Sequence, residues 1–185
     1  MRRSSATASV ERAAELMISL GMRIAQLAII AMMLLITLDV LARNVGGFSL
    51  LISDEVSGYL LVTMSFFGIA YSLRSGSLLR IDFILMALPP RLRALLSVVF
   101  DVSALIVCLL LLRSLIRFNW STWERGMVAP TLIETPLWIP QLAMPVGCAI
   151  LIIAFLLELR DNVRRLLGRA PPVAPAINPE LEILS

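Results

Sequence analysis

Four long apolar stretches occupy most of this 185-residue chain, and the charges between them are gathered at their ends. Ile24–Leu38, Val56–Leu73, Ala94–Leu112 and Thr135–Leu157 each reach or approach the roughly 20 residues a helix needs to cross a bilayer. The first becomes long enough only by drawing in residues around Leu20 or Leu41. The second and fourth carry no charge, and the third carries only Asp101. Backbone polar groups in lipid must be satisfied within the segment, so these spans are predicted to be helices. The expected fold class is an all-α integral membrane protein with four transmembrane helices and both termini on the cytoplasmic side.

That orientation comes from arginine, the only basic residue type present. The N-terminal tail holds Arg2, Arg3, Arg12 and Arg23, and the first loop holds Arg43. Arg74, Arg80, Arg91 and Arg93 fall in the second loop, Arg113, Arg117 and Arg125 in the third, and Arg160, Arg164, Arg165 and Arg169 in the C-terminal tail. Twelve arginines on one side against four on the other place both ends inside. The third loop is the weak point of that count. A pI near 9.5 would also suit a nucleic-acid binder, but arginines at span ends are topology signals, and no nucleic-acid partner is expected. No small-residue cleavage site follows the first apolar run, so that span is expected to remain in the mature protein.

The predicted organisation is a cytoplasmic N-terminal tail over 1–15, a four-helix membrane domain over 16–160 and a partly disordered cytoplasmic tail over 161–185. The spans are placed at about 18–41, 56–74, 94–114 and 135–158. Between the second and third, Leu78–Leu88 is stopped by Pro89 and Pro90. As a helix it would be about 15–17 Å long, too short to cross, so residues 78–88 are read as an interfacial amphipathic segment. Trp120 and Trp123 in the third loop, and Trp138 at the start of the fourth span, are expected as interfacial anchors. Pro136 suits a first helical turn, while Pro140 and Pro145 should bend the span.

Intramembrane ionisable residues are the candidates for function, because they are costly there. Asp39 and Arg43 are four apart and share a helix face. Arg43 could instead reach Glu55 across the first loop, or a partner subunit. Asp54 and Glu55 open the second span, where acidic side chains suit a helix N-terminus. Asp101 lies deeper. It is expected to be satisfied by a hydrogen bond from a neighbouring helix, with a proton or ion relay as the alternative. Cys108 and Cys148 fall inside spans and should pack as small apolar residues. With no His, no cysteine cluster and no phosphate-binding loop, no catalytic residue, cofactor or metal is expected.

Four motifs on these spans resemble the small membrane subunit of tripartite ATP-independent periplasmic (TRAP) transporters, the DctQ-like family. They are Asp39-Val-Leu-Ala-Arg43 closing span one, and Ser53-Asp-Glu55 opening span two. Phe67-Gly-Ile-Ala-Tyr-Ser-Leu-Arg74 then closes span two, followed by Arg80-Ile-Asp82. The last is Thr135-Pro-Leu-Trp-Ile-Pro-Gln-Leu-Ala-Met-Pro-Val-Gly147. The resemblance covers roughly residues 24–160, and the order and spacing of the motifs carry more weight than any one of them. The chain departs from the family in having Ile52-Ser53 where an aromatic residue often precedes the acidic pair, and Leu79 where many members have His.

The resemblance implies a multi-pass protein of the bacterial inner membrane. It would bind a large multispan permease subunit, which a periplasmic substrate-binding protein supplies, and sodium would drive uptake of an organic acid such as a dicarboxylate. Substrate and sodium sites would lie on the large subunit. Arg43, Asp54 and Glu55 would then set register at the outer side and Arg80 with Asp82 at the inner, while the Gly58/Ser65 side of span two would offer a shaped face. A self-sufficient homo-oligomeric transporter built around Asp101, and an accessory subunit of an unrelated membrane complex, remain the competing readings.

Overall fold

The computed structural model describes residues 5–47, 52–75, 89–131 and 134–167. The helices are α1 (Ser5–Gly46), α2 (Ser53–Arg74), α3 (Pro90–Glu124), the short α4 (Trp138–Gln141) and α5 (Ala143–Leu166). Four segments are long and apolar enough to cross a membrane, with α4 and α5 together forming the fourth. The segment 78–88, with Arg80 and Asp82, lies outside the described residues, as do the first four residues and those after Leu167.

The helices run past the expected spans. α1 begins at Ser5, so most of the expected N-terminal tail is a helical extension, and α5 continues through Leu166. At 1.5 Å per residue α1 is about 63 Å long and α3 about 52 Å, well over a hydrocarbon core of about 30 Å. In α3 the main difference is at its C-terminal end. An end near residue 114 was expected because the apolar run stops at Arg113, yet the helix continues to Glu124. Its inward positions explain why. Asp101, Leu105, Cys108, Leu112, Leu115, Asn119 and Thr122 are all buried or half-buried and recur at alternating steps of four and three. That seam is indifferent to the arginines on the opposite face.

α2 and α5 lie at the centre: α1 packs chiefly on α2 and also touches α5, while α3 packs on α5. Because lipid is as apolar as leucine, close packing rather than hydrophobic burial must hold such helices together. The chain supplies small residues where it needs them. On α1, Ala14, Ile18, Gly21, Ala25 and Ala28 form the buried stripe, packed near Phe67, Ala70 and Leu73 of α2 and Ile150, Ala154 and Leu157 of α5. A second cluster joins Cys108 of α3 to Cys148 and Ile152 of α5. Both cysteines are free and buried, and the Cys148 thiol donates to the Cys108 carbonyl at 3.5 Å.

The fourth span has a one-residue interruption at Leu142, whose backbone keeps right-handed helical angles. Pro136 precedes the helix and pairs with Val128 in an isolated bridge, instead of opening the first turn. Pro140 falls inside α4. Pro145 sits in the first turn of α5, where its missing N–H withholds a bond from the carbonyl of Gln141, and the regular helix lapses at Leu142.

Candidate functional site

Two polar layers close the apolar slab. The first lies at the end that holds residues 5 and 167, and it draws on all four spans. Arg74, the last residue of α2, donates from Nη1 to Asp161 Oδ2 at 2.9 Å. Its guanidinium also lies 3.6 Å from Glu158 and 3.6 Å from Glu15. Arg160 bonds Glu11 across to α1 and reaches Asp161 at 3.1 Å. Asn162, buried on α5, donates to the equally buried Asp101 of α3 at 2.6 Å, and its own carbonyl oxygen accepts from Arg165 at 3.1 Å. The arrangement binds α1 and α2 to α5 through ion pairs, and α3 to α5 through a hydrogen bond between two buried side chains.

The second layer is at the opposite end. Arg43 donates to Asp39 at 2.7 Å within α1, along the shared helix face. Glu55 accepts from Tyr59 at 2.7 Å and from Thr131 in the segment after α3. The two groups of the expected cross-loop pair are thus each bonded to other residues. Asn119 of α3 donates to the Trp138 carbonyl at 3.0 Å, tying α3 to α4. Backbone bonds from Ala129 to Thr135 and from Leu137 to Met127 fold the intervening segment on itself. Gly126 takes φ +59° where that segment leaves α3, a conformation that suits glycine. Asp54 is exposed at this rim.

Trp120 and Trp123 stand on the last turns of α3 rather than in a loop. Both are exposed, with rings edge to face at 5.1 Å. Trp138 is half-buried at the start of α4. Along α2, Arg74 and Glu55 are separated by about 28 Å, and along α3, Asp101 and Thr122 by about 31 Å, so the slab between the layers matches a hydrocarbon core. Arg113 and Arg117, counted with the third loop on sequence grounds, are on α3 within that slab, and both are exposed. An arginine facing lipid near the bilayer centre costs roughly 2.5–3.5 kcal/mol on insertion scales.

The first layer is the cluster that sequence reasoning missed in its particulars. Glu11, Glu15, Glu158, Arg160, Asp161 and Asn162 were not singled out, and Asn162 fell in the expected tail. The available signal was the 3–4 spacing that carries α5 past Leu157. Chemically the layer is a fastening. Each carboxylate in it has a cation or an amide of this chain against it, and among the described residues no group of His, Cys, Asp or Glu is arranged to hold a metal. Asp101→Asn is therefore expected to keep wild-type stability and transport, since an amide oxygen can still accept from Asn162. Asp101→Leu should lose about 1–3 kcal/mol by orphaning the buried Asn162 amide. Unfolding midpoints in mild detergent test this, and a collapse of Asp101→Asn would show that the charge itself is needed.

A multi-pass helical membrane protein, fastened at both ends of its apolar slab, is what this geometry defines. The sequence matches the family described as "Tripartite ATP-independent periplasmic transporters, DctQ component" over residues 32–165, and the chain belongs to that family. It is also similar to the ectoine TRAP transporter small permease protein TeaB of Halomonas elongata, 28% identical over 125 residues. That alignment covers 68% of this chain and 64% of the relative, so the chain spans under two thirds of the relative's length. The family match takes in Asp39, Asp101, Asp161 and Asn162 but begins after Glu11 and Glu15.

Proposed function

We propose that this chain is the small permease subunit of a TRAP transporter, scaffolding a large transport subunit for sodium-driven, binding-protein-dependent uptake of an organic acid such as a dicarboxylate. The family match over residues 32–165 carries this reading. The relative is named for ectoine, and on this reading selectivity would lie mostly in the binding protein rather than in this chain. In-chain pairing of the buried Asp101 supports a scaffold over a self-sufficient transporter, which would want that carboxylate available to an ion.

We place the chain in the bacterial inner membrane with both ends in the cytoplasm. With Arg113 and Arg117 on α3 rather than in a connection, Arg43 at the end of α1 and Arg125 just after α3 are the arginines at the far end, and the arginine asymmetry still supports this orientation. Arg43, Asp54 and Glu55 are proposed to set register with the large subunit at the outer rim, and Arg80 with Asp82 at the inner. The exposed Gly58/Ser65 side of α2 is a candidate contact face.

The decisive measurement is uptake by proteoliposomes under a sodium gradient, with loaded binding protein outside. Uptake is expected only when the large subunit and this chain are both present. Robust uptake by this chain alone would reject the scaffold. Cysteines placed at Ser4 or Ala174 should resist labelling from the periplasm in intact cells, and their labelling would reject the orientation.

A further inference from the structure

Arg113 occupies the face of α3 that points away from the seam packed on α5. It lies about 18 Å along the helix from Asp101 and about 13 Å from Thr122, near the middle of the slab. Its side chain is exposed and, among the described residues, has no hydrogen-bond or ion-pair partner. The same face is apolar toward one layer, where Ile106 and Leu110 are exposed, and toward the other it carries the exposed Arg117 and then Trp120.

Lipid is a poor cover for this position. A guanidinium cannot shed its proton, so the charge persists at any depth. Arg117, one turn nearer the far layer and beside the Trp120–Glu124 hydrogen bond of 2.7 Å, can extend its head group toward water. Arg113 has roughly twice that distance to cover, with a like charge one turn away on the side it would reach toward.

We propose that this face of α3 receives a membrane-embedded helix of the large permease subunit, which presents a carboxylate to Arg113 near mid-membrane. The inference rests on the small-permease reading. A carboxylate is the chemical complement because it accepts two parallel N–H bonds from the guanidinium. Each charge would be unmatched without the other at that depth, so the pair selects both partner and register where apolar surface alone discriminates weakly.

The test co-expresses the tagged chain with the large subunit and compares Arg113→Lys and Arg113→Leu with wild type. Position Leu110→Cys carries a thiol-directed photo-crosslinker in native membranes, with Leu34→Cys on the exposed side of α1 as control. The leucine variant adds apolar surface to an exposed face, so it is expected to insert normally. It should recover at least about tenfold less large subunit, as for loss of one partner of a buried charge pair. Arg113→Lys should retain most of the recovery, and a link to the large subunit should form from position 110 and not from 34.

Wild-type recovery with Arg113→Leu, and no protein adduct at position 110, would assign the guanidinium to lipid phosphate and overturn the proposal. Failure of the wild-type chain itself to recover the large subunit is a separate result. It would overturn the small-permease reading and this inference together.

Discussion

Gly147→Ala is expected to destabilise the isolated chain more than any other single-methyl addition at a described glycine. A Cβ built at Gly147 would stand 2.6 Å from Phe66 Cβ, 2.9 Å from its carbonyl carbon and 3.0 Å from its carbonyl oxygen. Two of those atoms are α2 backbone and cannot rotate aside, so α2 and α5 must separate. These are the two central helices. Phe67 and Ala70 of α2 carry the cluster with α1, while Phe66 packs against the cluster with α3, so the separation loosens both.

Overpacking of this kind typically costs about 1–3 kcal/mol, and a backbone obstacle argues for the upper part of that range. Gly147→Leu should not give a folded chain. Gly58 provides the comparison, since nothing lies within 4 Å of the Cβ it lacks. Gly58→Ala should be neutral or stabilising by about 0.5–1 kcal/mol, because glycine is a poor helix former. Thermal midpoints of the purified chain in mild detergent decide the matter. Equal midpoints for wild type and Gly147→Ala would show that the approach of α2 to α5 does not hold the bundle.

The four spans were legible because run length is a strong signal in a chain with a mean hydropathy of +0.91. The Asp39–Arg43 contact was legible for a different reason, since residues four apart on a helix meet whatever surrounds them. The bond between Arg74 and Asp161 was not. Those residues are 87 apart, and their meeting depends on α5 rather than α3 lying beside α2, a choice no periodicity reports. Asp101 shows the boundary between the two cases. Its depth predicted a hydrogen bond from a neighbouring helix, while its partner Asn162 lay beyond the apolar run that had been used to end the fourth span. The extent of α3 was missed in the same way. Apolar composition stops at Arg113, whereas the packed seam continues through Leu115, Asn119 and Thr122, and the seam governs where the helix ends.

Arg74→Leu is the second substitution with a large expected effect, and it acts at one end only. Arg74 is the cation common to Asp161 at 2.9 Å, Glu158 at 3.6 Å and Glu15 at 3.6 Å. Removing it leaves Glu158, whose side chain is 13% exposed, without that cation and leaves Asp161 with Arg160 alone, while Glu15 at 59% exposure is already solvated. The loss should be about 1.5–3 kcal/mol, the range for hydrogen bonds to charged groups. Fully buried pairs can lose about 3–5 kcal/mol, but Arg74 and Asp161 are each 26% exposed, and water can partly replace the lost contact.

The interaction itself can be isolated by combining Arg74→Leu with Asp161→Leu. A coupling of about 1–3 kcal/mol is expected, since the two residues touch and share a network. Location separates a fastening from a general contribution to stability. Hydrogen exchange should accelerate over residues 14–21 of α1 and 155–162 of α5, which this layer clamps. It should stay at the wild-type rate over residues 137–147, which are held by the bond from Asn119 to Trp138 and by the contact of Gly147 with Phe66. Exchange that rises evenly along all four spans would mean that Arg74 stabilises the bundle as a whole, and that the paired charges do not act as an end clamp.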